Sequence, residues 1–355
     1  MKEKKQKVLV AMSGGVDSST TAALLKRAGF DVQGVFLRLV DLPNFKQGEK
    51  GARKIAKILK IPFIVFDLRK EFRKEIINYF LKEYKAGRTP NPCVICNERV
   101  KFGFLLKKAL SLGFDFLATG HYVQKKDNGT FKLFESKDKE KDQSYFLWRL
   151  TQDQLKHLLF PVGNHTKTEV RKMAKKFKIS GLIKGESQDV CFIQNSINDF
   201  LEKNLKSKSG SIVEQVHYGV KRIIGRHQGL HFYTIGQRKG IKIGGVSKPL
   251  YVIDKDINKN ILIVSQNPKD LEKKELICEK INWISGKRPK LPLKVRAKIR
   301  YRNKGERAVI KPLNYKRLKV VFNKKQRAIT PGQSVVFYLD QQLLGGGIIE
   351  SVDTL

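Results

Sequence analysis

Residues 8–19 read Val8-Leu-Val-Ala-Met12 followed by Ser13-Gly-Gly-Val-Asp-Ser-Ser19. A short apolar run breaks into small residues and then enters an amphipathic pattern from Ser18 to Arg27, closed by Gly29. A strand that feeds a glycine loop into a helix N-terminus is a seat for phosphate. Glycines let the backbone approach, amides point inward, and the helix dipole favours negative charge. The loop lacks the Gly-Lys-Ser/Thr of a Walker loop and the Gly-x-Gly-x-x-Gly of a dinucleotide fingerprint. A tight strand–helix turn would account for a double glycine alone, but Ser-Gly-Gly-x-Asp-Ser at this position points to a nucleotide.

Working outward, Val32–Leu39 and Ile61–Asp67 are further strand-like runs, and Phe114–Thr119 is a weaker one. Helical patterns cover Gly51–Leu59 and Glu71–Lys85. Strand and helix alternating at this spacing predict a parallel sheet with crossover helices. Sites in such sheets gather beyond the carboxyl ends of the strands, here near residues 12–18, 37–41, 88–97 and 119–122. After about residue 205 the texture changes to short strand-like runs, among them Ser211–Val216, Leu250–Ile253, Ile261–Val264, Val295–Tyr301, Leu318–Phe322 and Ser334–Leu339. These predict small β-rich domains, divided near Lys273 in the charged stretch Lys269–Lys280.

The 355 residues carry 72 Lys and Arg against 33 Asp and Glu, a net charge of +39. A polyanion is the natural partner, although a lysine-biased composition would leave the same mark. Between Ser285 and Arg327 there are 17 basic residues and a single acid, Glu306. Lys294, Arg296, Lys298, Arg300, Arg302 and Lys304 occupy alternate positions, which in a strand would place them on one face as a basic stripe. No apolar stretch is long enough for a membrane span, and the glycine loop comes too early for a signal peptide. Four cysteines do not make a disulfide framework in a chain of this length. The chain reads as soluble and cytoplasmic, with no membrane partner.

Cys93 and Cys96 lie in Arg88-Thr-Pro-Asn-Pro-Cys-Val-Ile-Cys-Asn97, with Asn97 or Glu98 as a helix start; a cysteine at a helix N-terminus tends toward thiolate. Cys191 lies in Ser187-Gln-Asp-Val-Cys-Phe-Ile193, and Cys278 in the charged stretch, where it reads as inert. A closed four-ligand zinc site is disfavoured because no second pair is near in sequence. An iron–sulfur cluster on Cys93, Cys96 and Cys191 and a persulfide relay between thiols both remain open.

In chain order, the glycine loop, Ala86-Gly-Arg-Thr-Pro-Asn-Pro-Cys-Val-Ile-Cys-Asn97, Ala118-Thr-Gly-His-Tyr122, Lys141-Asp-Gln-Ser-Tyr-Phe-Leu147, Cys191-Phe-Ile193 and Gly236-Gln-Arg-Lys-Gly240 are followed by Arg300-Tyr-Arg302, Thr330-Pro-Gly-Gln-Ser334 and Leu344-Gly-Gly-Gly-Ile-Ile349. The set resembles the bacterial tRNA-specific 2-thiouridylases, members of the PP-loop ATP pyrophosphatase superfamily. The resemblance implies an α/β fold: a PP-loop (adenine nucleotide alpha hydrolase-like) catalytic domain over 1–204, a small β-rich domain over 205–273, and a basic, barrel-like tRNA-binding domain over 274–355. It implies a nucleotide site on Ala11, Met12, Ser13, Gly14, Gly15, Val16, Asp17, Ser18, Leu37 and Gly120, with Asp17 helping to place Mg²⁺ on the pyrophosphate of ATP. It gives Cys96 the role of nucleophile and Cys191 that of persulfide carrier. Asn91, Pro92 and Cys93 match the loop that meets the target base; some relatives have Asp in place of Cys93. Lys141, Asp142, Gln143, Arg300 and Tyr301 match tRNA contacts, whereas Ser187–Asp189 carry no role.

The implied reaction is ATP-dependent 2-thiolation of the wobble uridine of Lys, Glu and Gln tRNAs. The sulfur would come from a cysteine desulfurase or a sulfur-relay protein. A PP-loop ligase would share Ser13–Ser18 without explaining the cysteines. A plain RNA-binding protein would leave the glycine loop idle.

Overall fold

The computed structural model describes residues 5–180, 190–216, 221–245 and 248–352. The first half builds a five-stranded parallel sheet from β1 (Lys7–Ala11), β2 (Asp31–Arg38), β3 (Phe63–Asp67), β4 (Phe116–Ala118) and the two-residue Leu158–Leu159 strand, in the order β3-β2-β1-β4 and then Leu158–Leu159. Crossovers are made by α1 (Val16–Arg27), α2 (Pro43–Ile58) and a long helical run from Arg69 to Lys85. Alternate residues of β1 enter different cores. Leu9 joins one hydrophobic cluster and Val8 and Val10 another, all three fully buried, as expected of a central parallel strand covered on both faces. β1 pairs with β2 on one side and β4 on the other, so the chain order reverses there. The crevice at that reversal is where ligands of open α/β sheets bind, and the Ser13–Ser18 loop leaves β1 into it.

The anticipated strands are present within a few residues, whereas the helices differ more. α2 starts eight residues before Gly51, and the Glu71–Lys85 pattern contains a wide π-helical turn at Arg73–Ile77. Asn97 or Glu98 does not start a helix. The helix begins at Pro92, with Asn91 at its N-cap, and widens into a ten-residue π stretch at Cys96–Leu105.

After β4 the hairpin β5 (Val123–Asp127) and β6 (Phe131–Glu135) joins a different sheet, while Val123 and Leu133 stay in the hydrophobic cluster of Leu9 and Leu117. β6 pairs with the last strand of the chain. In the middle region Gly210–Gln215, Lys221–His227, Tyr251–Asp256 and Ile261–Ser265 form a separate four-stranded sheet. Beyond it, Glu272–Trp283, Leu293–Lys298, Glu306–Pro312, Leu318–Arg327, Ser334–Leu339 and Gln342–Ser351 make a ring that closes through pairing of the first and last of these strands. This is the β-rich architecture expected, a PP-loop-type parallel sheet followed by a small sheet domain and a barrel. Cys278 lies not in a linker but in the first barrel strand, fully buried.

The basic stripe is not formed as anticipated. Its strand ends at Lys298, and 299–302 turn away. Lys298 is buried with its ammonium 2.8 Å from Glu135, and Arg296 lies 2.9 Å from the same carboxylate. Two of the six cations are therefore internal counter-charges for the inserted hairpin. Among the described residues no helix is long and apolar enough to cross a membrane.

Candidate nucleotide and sulfur-transfer site

The loop is tied by its own hydroxyls. Ser18 Oγ accepts from Ser13 N (3.1 Å) and lies 3.1 Å from Gly15 O, while Ser13 Oγ accepts from Gly15 N (3.3 Å). Gly14 has φ +81°, and a Cβ there would stand 2.5 Å from Gly48 O, so only glycine fits. From β4, Gly120 packs against the start of α1; a Cβ there would lie 2.7 Å from Ser18 N. Ala11 ends β1, Met12 is buried behind the loop, Val16 begins α1 with Gly120 against that start, and Leu37 lies near the end of the adjacent β2. A glycine loop at a helix N-terminus, open to backbone approach, fits the phosphates of ATP.

The Asp17 carboxylate is occupied. Lys167 Nζ lies 2.7 Å from both of its oxygens, and Tyr122 donates its hydroxyl to Oδ1 at 2.7 Å. Burial, then the Asp17 charge, raise the Tyr122 phenol well above its ordinary range, keeping it a donor. Lys167 is the first residue of a helix, Lys167–Lys176, fixed by a capping box: Thr166 Oγ1 accepts from Glu169 N at 3.2 Å and Glu169 Oε2 accepts from Thr166 N at 2.7 Å. Lys167 did not figure in the sequence reading, and Tyr122 did only as the end of the Ala118–Tyr122 motif, with no role. Thr166-Lys-Thr-Glu169 is a legible capping signal, but the pairing with Asp17 spans 150 residues. With both oxygens on the Lys167 ammonium, Asp17 as it stands offers no free oxygen to a metal ion.

Cys96 lies in a buried cluster with Phe72, Phe80 and Phe192, and the partly buried Cys191 packs against that cluster. Burial, only partly offset by Lys101, pushes the Cys96 thiol up to about 11. Burial, with Cys96 and Cys93 close by, pushes Cys191 up to about 12. The expected helix-terminal thiolate is therefore not the resting form: Cys96 follows a full turn of helix, and desolvation outweighs the dipole. Among the described residues no group of three or more His, Cys, Asp or Glu side chains is placed to hold a metal ion. Ser187–Asp189 lie outside the described residues.

These thiols make a pH prediction. Their ionisation is withheld in the fold but open to the unfolded chain, so their contribution is intact below the ordinary thiol value of 9.0 and is lost as pH rises toward about 11 and 12. The unfolding free energy between about pH 8 and about pH 10 is expected to fall less for the Cys96→Ala/Cys191→Ala double variant than for the parent, by about 1 kcal/mol or more. Equal falls would mean that the thiols are not desolvated.

The segment before Cys93 is held by all three parts of the chain. Gln333 Nε2 donates to Thr89 O (2.9 Å) and Pro90 O (3.1 Å), Thr89 N donates to Pro331 O (2.9 Å), and Thr234 Oγ1 is 3.4 Å from Thr89 Oγ1. The side chain of Asn91 is hydrogen-bonded to the Tyr145 hydroxyl. A cleft of about 320 Å³ opens at this junction, lined by Thr89, Thr234, Gly236, Arg300, Arg327 and Gln333. Arg300 donates to Arg327 O (2.9 Å) and to Ala328 O, and the Tyr301 ring rests on Phe146 with centroids 4.5 Å apart. Lys141 and Gln143 are part-exposed, but Asp142 is buried at 5% exposure and its carboxylate faces inward.

Three family profiles match the chain in succession: a tRNA methyl transferase HUP domain over residues 6–195, a tRNA methyl transferase PRC-barrel domain over 198–266, and an aminomethyltransferase beta-barrel domain over 273–349. The tRNA-specific 2-thiouridylase MnmA of Halothermothrix orenii is 47% identical over 97% of this chain and 99% of its own length. The tRNA-specific 2-thiouridylase MnmA 1 of Clostridium tetani is 44% identical over 100% and 99%. Among solved structures, the U34-tRNA thiolase NcsA of Methanococcus maripaludis with its [4Fe-4S] cluster is a remote likeness: 20% identity, 57% of this chain, 68% of that one, TM-score 0.37. Full-length identity of this order, together with the glycine loop and the paired thiols, establishes that the chain belongs to the tRNA-specific 2-thiouridylase family of sulfurtransferases.

Proposed function

We propose that this enzyme replaces the C2 oxygen of the wobble uridine of Lys, Glu and Gln tRNAs with sulfur, using ATP brought in with Mg²⁺. The observation that carries the proposal is the pairing of a phosphate-type loop at the sheet reversal with two thiols at one buried cluster. The C2 oxygen of uridine leaves poorly, so it first attacks the α-phosphorus of ATP and expels pyrophosphate. Ala11–Ser18 would hold the phosphates while Leu37 and Gly120 border the nucleotide; amides aimed at the departing pyrophosphate stabilise its charge.

Sulfur arrives as a persulfide on Cys191, from a cysteine desulfurase or a sulfur-relay protein. Its terminal sulfur attacks C2, the C2–O bond breaks and AMP leaves. Cys96 as thiolate then attacks Cys191 Sγ. The old S–S pair goes to the sulfur on C2, giving 2-thiouridine and a Cys96–Cys191 disulfide, which an external thiol reduces. In the alternative order, Cys96 first releases hydrosulfide, which attacks C2 itself. Both orders require a site that ionises Cys96 after tRNA closes over it. Asn91, Pro92 and Cys93 would border the flipped-out base; Lys141, Gln143, Arg300 and Tyr301 would meet the RNA, and Asp142 would support them from within. The working division is 1–204 for chemistry, 205–273 and 274–355 for grip, in a cytoplasmic protein.

The test is incubation with ATP, Mg²⁺, a cysteine desulfurase with cysteine as the persulfide donor, and thiouridine-deficient tRNA, followed by nucleoside mass spectrometry. 2-Thiouridine formed only with ATP, with AMP in equal amount, is the expected result. Thiouridine without ATP, or ATP cleavage with no dependence on tRNA, would overturn it.

A further inference from the structure

The two groups that hold the Asp17 carboxylate are both clamped by one short segment. Gln143 N donates to Tyr122 O at 2.8 Å, and Gln143 Oε1 accepts from Tyr122 N at 3.0 Å, fixing the backbone of the residue whose hydroxyl reaches Asp17. Asp138 Oδ2 accepts from Lys167 N at 2.8 Å, fixing the backbone of the other. Asp138 Oδ1 also accepts from Lys141 N at 3.2 Å, so Asp138–Gln143 is internally braced.

The same segment is anchored in the barrel. Asp142 accepts from Ser136 N (3.0 Å) and Ser144 Oγ (2.8 Å), and Ser144 Oγ is 3.0 Å from the Tyr338 hydroxyl on an inner barrel strand. Lys298 Nζ bridges Glu135 at 2.8 Å and Asp142 at 3.8 Å. Glu135, Asp142, Ser144, Lys298 and Tyr338 are all buried. A network so enclosed and so fully bonded is rigid, and a shift of the barrel strand is passed to Asp138–Gln143 rather than absorbed.

We propose that Asp138–Gln143 is the link by which tRNA seated on the barrel sets Asp17, with Tyr122 and Lys167 as positioning residues, so that ATP is cleaved at full rate only when RNA is bound. This rests on the thiolation reading above and on Lys141 and Gln143 meeting the RNA. It assigns Asp138, which that reading does not use, a role at distance from both ligands, and it accounts for a carboxylate held from two sides. Such a coupling is a difference of rates between two ligation states and is measurable as one.

The experiment measures pyrophosphate release at saturating ATP with and without unmodified tRNA, for the parent, Tyr122→Phe and Asp138→Ala. tRNA affinity by filter binding and melting midpoints are measured alongside. The ratio of the two rates is expected to fall at least about fivefold in each variant while tRNA affinity stays within about twofold. Tyr122→Phe removes one oxygen and keeps the ring, so it reports even where Asp138→Ala melts early. A parent-like ratio in a folded Tyr122→Phe, or a fall matched by loss of tRNA affinity, overturns the link. A parent protein with no tRNA-dependent release overturns the thiolation reading itself, and the link with it.

Discussion

Cys96→Ser and Cys191→Ser are each expected to reduce 2-thiouridine formation at least about a thousandfold while leaving ATP and tRNA binding within about threefold. Serine is close in shape but cannot carry a sulfane sulfur or open an S–S bond. Both residues pack in the aromatic cluster of Phe72, Phe80 and Phe192, and neither takes part in the Ser13–Ser18 hydroxyl network, so the phosphate loop keeps its own hydrogen bonds. Cys93→Ser separates the two sulfur schemes: the relay needs two thiols and keeps activity within about tenfold, whereas a three-cysteine cluster loses it. Radiolabelled ATP binding, filter binding and nucleoside mass spectrometry on the three variants decide the matter. Normal thiouridine from either Cys96→Ser or Cys191→Ser would end the relay, and a dead Cys93→Ser with intact binding would restore the cluster.

What was legible in the sequence was local. Val8–Ser19 announces a strand, a loop and a helix because each needs only its own residues, and Gly14 is required by a backbone angle that no neighbour sets. The hairpin β5–β6 also had a local sign, the turn dipeptide Asn128-Gly129. Its destination, an edge of the barrel built two hundred residues later, had none. The basic stripe misled for the same reason. Alternation correctly turned Val295 and Ala297 into the barrel core, but the acids that claim Arg296 and Lys298 come from Glu135 and Asp142, far up the chain. Cys96 is the third case: the proximity of a helix start suggested a thiolate, and the cover that keeps it a thiol comes partly from Phe192, across the fold.

Trp148→Ala is expected to be the most destabilising of these changes, by about 3–5 kcal/mol, or a fall of about 5–15 °C in melting midpoint. Trp148 is fully buried, its Nε1 donates to Ser334 Oγ at 3.1 Å, and Asn282 Nδ2 donates to its carbonyl at 2.7 Å. The ring lies on Gly346, where a Cβ would stand 3.0 Å from it, so the last barrel strand is shaped to the indole. The cluster around it mixes Leu9, Leu117 and Leu158 of the parallel sheet with Val336, Tyr338 and Leu343 of the barrel. One core therefore serves both parts, and a cavity at Trp148 weakens each against the other. Calorimetry is expected to show a single transition in the parent and a lower, broader or split one in the variant, with Trp148→Phe intermediate. An unchanged midpoint would mean that barrel and sheet fold as independent bodies. The polar link from Tyr338 to Asp17 would then have no rigid frame to act through, because a hydrogen-bonded chain transmits displacement only where the surfaces carrying it cannot slide.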